Sequence, residues 1–276
     1  MTTHTTPSTV HSTSSSASPS ASPSAATRDT RPVGRGRRSL LVLTGLLACA
    51  IPTVFTVTIT GMLVTGTDSD HRFHQLTGQG LILCALWLLP ILVLLRAGWQ
   101  GRRPSTAAGL AHLVLMTAGA GCALAAQGGG APVLMAMIGI PGALLWASLP
   151  LRPRLRVPVQ VDPLLAPVAL AASAVLLPFA VDQVALQNAS TTGYHAENPH
   201  YFDMAWIAIT LAAHALLAAL LPAARALAVG FAPAMVVLGS AGLALGESTP
   251  WSLFVLACGA LAGAASAVVR RQAARN

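Results

Sequence analysis

The sequence predicts an all-α fold: a polytopic transmembrane helical bundle of about eight spans, arranged as a 4+4 parallel internal repeat. Three observations predict it. Apolar residues make up 54% of the 276 positions and charged residues 9%, where a soluble domain carries roughly a quarter. Mean hydropathy is +0.67 over the whole chain. Runs of about 20 apolar residues recur, separated by short polar segments in which arginine alternates with histidine and carboxylate. These features exclude a soluble enzyme and a disulfide scaffold. The net charge of +8 comes entirely from arginine and lies between apolar runs, so it signals topology rather than nucleic acid. The expected partner is the lipid bilayer.

Residues 1–38 differ in composition from the rest of the chain. Thr2 to Thr27 is almost wholly Ser, Thr, Ala and Pro, too poor in apolar side chains to offset chain entropy, and is expected to be disordered. Arg28, Arg31, Arg35, Arg37 and Arg38 then precede the first apolar run as a cytoplasmic anchor. Arg37-Arg38 and Leu46 to Cys49 resemble export and lipoprotein signals, but the run continues to Val64 and is long enough to span.

The eight spans fall at 40–64, 76–96, 106–126, 132–150, 164–182, 203–222, 226–246 and 250–269. They divide into units of residues 39–150 and 151–276. Gln127 to Gly130 and Glu247 to Thr249 form tight hairpins. Pro90, Pro141, Pro178 and Pro233 lie within spans, where neighbouring helices re-satisfy the freed carbonyls. With the tail inside, every arginine except Arg72 falls on the inner side. Asp68, Asp70, Asp182, Glu197, Asp203 and Glu247 fall outside. An odd span count would destroy that division, so both termini are expected in the cytoplasm of a plasma-membrane protein.

Both units open with a span followed by an outer segment carrying two histidines, Thr65 to His74 and Thr192 to His200. His200 follows His74 by 126 residues, and span 5 follows span 1 by 124. Four spans per unit gives two units of the same orientation about an axis along the membrane normal.

Ionisable residues at membrane depth are costly and mark candidate sites. His112 in span 3 and His214 in span 6 each lie roughly 10–12 Å deep from the inner surface. One expectation is bis-histidine haem b, with His74 and His200 as outer axial ligands and His112 and His214 as inner ones. A second is an outer zinc or copper(II) site. His71 and His74 would share one helical face at the start of span 2, joined by His195, Glu197, His200 and Asp203. A third is a small-molecule or proton-coupled carrier with Asp182 as its proton or cation site. Plainer expectations stand beside these. The inner histidines would bond between helices. Tyr194, Tyr201 and Trp206 would form an interfacial aromatic belt. Gly119-Ala120-Gly121, Gly239 to Gly242, and Gly259, Gly263 and Ser266 would let helices approach closely. The cysteines, Cys49, Cys84, Cys122 and Cys258, all lie in apolar runs and act as small apolar residues. No phosphate loop, nucleophile elbow or EF-hand loop is visible.

The low-complexity tail, the alanine-rich spans and the TG…H…H segments resemble polytopic membrane proteins of high-GC actinobacteria. The four-plus-four layout, with histidine at the outer end of a second span, is similar to haem A synthase and loosely to cytochrome b561. The resemblance covers layout only, and no residue role is carried over. The expected product is an integral membrane protein with a histidine and carboxylate cluster on its extracytoplasmic face.

Overall fold

A computed structural model describes residues 32–66, 72–77, 81–126 and 128–275. Most of the tail, and Asp68, Asp70 and His71, lie outside these residues. Eight helices are long and apolar enough to cross a membrane, and no strand occurs among the described residues. They are α1 (Arg35–Thr65), α3 (Leu81–Trp99), α4 (Thr106–Ala125) and α5 (Ala131–Ser148), then α6 (Leu165–Ala189), α8 (His200–Leu220), α9 (Leu227–Ala244) and α10 (Thr249–Arg275). Two short helices, α2 (Arg72–Leu76) and α7 (Tyr194–Glu197), sit in the connections before α3 and α8.

Several boundaries differ from the hydropathy reading. The first helix begins at Arg35, because arginine is a good helix former and nothing between Gly34 and the apolar run breaks it. His74 does not start span 2: it sits on the separate helix α2, and α3 begins only at Leu81. α6 runs to Ala189, two turns beyond Asp182, since Gln183, Ala185, Leu186 and Gln187 are good helix formers whether polar or apolar. His200 belongs to the first turn of α8. Trp206 is no interfacial belt residue. It is 1% exposed, and its Nε1 donates to the Leu115 carbonyl of α4 at 2.8 Å.

Among the first four spans α1 packs on α3 and α5, and α4 packs on both α3 and α5. Among the last four, α6 packs on α8 and α10, and α9 packs on both α8 and α10. The two sets of spans meet where α4 packs on α8, and where α2 and α3 touch α9. Small residues set the closest approaches. A Cβ at Gly239 would stand 2.6 Å from the α10 backbone, and one at Gly259 2.7 Å from the Val236 nitrogen of α9. Gly119 is closed over by Met135 and Trp206, whereas Gly121 has open space.

One end of the bundle carries the described arginines other than Arg72. Arg37 donates to the Leu149 carbonyl at 2.7 Å, and Arg103 to that of Arg152 at 2.5 Å. Arg38 lies over the Trp99 ring. The extended segment 150–164 closes this end along α8, with Asp162 N–H donating to Ala219 O and Gln160 N–H to Leu220 O. The opposite end carries His74, His195 and His200.

Candidate functional site

The two histidine-bearing connections converge at the end of the bundle opposite the arginines. α2 is pinned there by Thr77, fully buried, whose hydroxyl meets Phe73 O at 2.6 Å and Met204 Sδ of α8 at 3.0 Å. α7 is pinned by Gln187, also fully buried. Its amide donates to His195 O at 2.8 Å and accepts from Phe202 N–H at 3.3 Å. Asn188 reaches across to Ala125 O at 2.9 Å. Beside it the α4–α5 turn comes so close that a Cβ at Gly129 would sit 2.6 Å from the Asn198 carbonyl carbon. Gly129 also has φ +61°, so only glycine fits without strain.

These anchors bring five rings together. The centroids of His74, His195 and His200 form a near-equilateral triangle with sides of 6.2, 5.8 and 5.4 Å. Tyr201 stacks on His195 at 4.6 Å, with 21° between planes. Tyr194 stands edge-on to His200 at 4.9 Å. Asp203, one turn below His200, is buried within electrostatic reach of Cys84 on α3 and Cys122 on α4. Of the carboxylates expected here, Glu197 is exposed at the end of α7. Asp182 is exposed on α6, away from the cluster's buried centre. Among the described residues, no group of three or more His, Cys, Asp or Glu side chains is arranged to hold a metal ion.

The inner histidines meet different partners. His112 stacks on Trp146 of α5, 6.0 Å away with 4° between planes, and its Nε2 lies 3.1 Å from Gly142 O. His214 lies on α8 against the Ala111 backbone of α4. Both are interhelical partners, and each ring is directed at a different helix.

Position along α8 reveals an arrangement that residue-by-residue inspection missed. His200, Asp203, Thr210 and His214 stand at i, i+3, i+10 and i+14. At 100° per residue they fall within about 80° of one another on one helix face. They are 3%, 5%, 0% and 2% exposed. The stripe runs about 21 Å, most of the way through a bilayer core. The 3- and 4-residue spacing was the available signal. Asp162 was also missed as a structural residue. It caps α6, accepting from Leu164 N–H at 3.1 Å and Leu165 N–H at 3.2 Å, and pairs with Arg225 at 3.0 Å.

Comparison with known proteins finds no matching family model, no curated relative and no similar solved structure.

Proposed function

We propose that this multi-pass membrane protein is a proton-coupled carrier. On this reading both termini lie on the cytoplasmic side of the plasma membrane, and the histidine cluster opens to the outside. The observation that carries it is the buried stripe on α8. Four polar side chains share one face of a helix packed inside the bundle, and burying them in an apolar core is costly unless they serve a site. The arginine distribution supports the orientation. The two-unit layout supports a moving interface, because exchanging the units carries the α4–α8 contact onto the α9–α3 contact.

The ring cluster suits protons. Two charged imidazoles about 6 Å apart repel by about 3 kcal/mol at an effective dielectric of about 20. A charge on one ring therefore disfavours a charge on its neighbours. Asp203 supplies the buried countercharge below it. A haem between His74 and His200 fits less well. His195 stands nearly equidistant from both, beside their midpoint, where a macrocycle would extend. The metal reading would require the three rings to rotate toward a common point.

The test is a rapid pH jump on reconstituted proteoliposomes, from about pH 8 to about pH 6, across the ordinary histidine range. The expected result is a transient charge displacement that is lost in Asp203→Asn and in His200→Ala. Purified variants are first checked for monodispersity. No displacement above that of empty liposomes, or an unchanged one in both variants, overturns the reading. A Soret band that disappears in His74→Ala or His200→Ala would replace it with haem.

A further inference from the structure

At the arginine end of the bundle, the first turns of α6 and α9 meet the last turns of α10 around a cavity of about 230 Å³. Its wall carries two guanidinium groups, those of Arg225 and Arg270, with Ser266 beside them. The rest of the wall, Leu165, Ala226, Val229 and Val269, is apolar.

Both guanidiniums are held in place without being used up. Arg225 is fixed by Asp162, with Nη2 3.0 Å from Oδ2. The Asp162 side chain is 4% exposed, its Oδ1 accepts from Leu164 and Leu165 N–H, and it does not line the cavity. Arg270 donates from Nε to the Ser266 carbonyl at 3.3 Å. A guanidinium has five N–H donors, so these contacts leave donors over on each. Both side chains also remain accessible: that of Arg225 is 36% exposed, and Arg270 is exposed.

Two guanidiniums against one carboxylate leave a net positive charge of one, and Arg271 follows on α10. Leu165 and Ala226 stand at the N-terminal ends of α6 and α9, whose dipoles also favour an anion. The apolar part of the wall leads outward: Val229 is 53% exposed on the apolar girdle of the bundle. A free inorganic anion would meet the charge but leave the apolar strip uncovered. An acyl chain alone would cover the strip but leave the charge unmatched. A phosphodiester on an apolar tail meets both, and guanidinium binds phosphate oxygens through paired N–H bonds.

We infer that this cavity binds the headgroup of an anionic phospholipid, with the phosphodiester on Arg225 and Arg270 and the acyl chains running out over Val229. Basic pockets between spans are suited to such headgroups. The site lies at the opposite end from the ring cluster. Its occupancy is measured without any proton movement, so it stands or falls independently of the carrier reading.

The experiment uses the full chain purified in a neutral detergent and checked for monodispersity. It is titrated with phosphatidylglycerol and with phosphatidylcholine of the same acyl chains, and retained lipid is counted by native mass spectrometry. Phosphatidylglycerol is expected to be retained saturably and about fivefold more tightly than phosphatidylcholine, and Arg270→Gln should weaken it by about fivefold. Arg96→Gln removes an exposed arginine of α3 that does not line the cavity, and should change nothing. Millimolar inorganic phosphate should not displace the lipid. Equal retention of the two lipids, or an equal loss in Arg96→Gln and Arg270→Gln, overturns the inference. Displacement by inorganic phosphate also overturns it, in favour of a free anion. Because Arg270 is exposed, Arg270→Gln leaves the buried Asp162 carboxylate paired with Arg225, and the test does not depend on a variant that disturbs that pair.

Discussion

The two ends of α8 use the same residue type in opposite ways. His200 sits among three other aromatic rings, two of them imidazoles, with a carboxylate one turn below. His214 lies against the Ala111 backbone and a mostly apolar wall that also includes Ser105. An imidazole needs neighbours that tolerate charge before it can take up a proton. One surrounded by Leu, Val and Ala lacks such neighbours. The difference arises in the connections. The His200 end of α8 is met by two polar segments folded back over it, and the region of His214 mainly by spans.

Trp206 lies between these ends, and its removal should break the comparison outright. It fills the space against Trp87, Phe202 and Gly119 and bonds across the units to Leu115 O. Trp206→Ala is expected to lower stability by about 3 kcal/mol, from the cavity together with the lost bond. Denaturation followed in mixed micelles measures it, and a loss below about 1 kcal/mol would show that the units are held together elsewhere.

Asp162→Ala tests the arginine end alone. It removes the cap of α6 and leaves Arg225 without its carboxylate. The expected loss is about 2 kcal/mol. The histidine end should be untouched, so the pH-jump signal of the folded fraction should match the native one.

Gly129→Ala tests the histidine end alone and has the smallest expected effect on stability, about 1 kcal/mol from the left-handed backbone. Its methyl group would push against Asn198 and Pro199 and displace the segment leading into His200. The pH-jump signal should fall severalfold. An unchanged signal would show that this turn does not position His200.

The division of arginine from histidine and carboxylate along the chain was legible in the residues alone, and so were eight spans. The close packing of α9 on α10 was legible from Gly239 and Gly259. The polar extension of α6 was not, because a hydropathy window ends where Asp182 and Gln183 begin while the helix continues. Trp206 was misread because tryptophan near a span end is commonly interfacial; here the first turns of α8 are roofed by α2 and α7 and buried.

By itself, then, the sequence determined the number of spans, their order and the sorting of charge between the two ends. Those properties sum over local windows, and a membrane reads them residue by residue. Tertiary structure decided which histidines meet. Whether two rings approach depends on the rotation of each helix about its axis and on how the connections fold back, and hydropathy records neither. So His74, which the chain places 126 residues from His200, lies within 5.8 Å of it. His112 and His214, matched in depth, are turned to different partners.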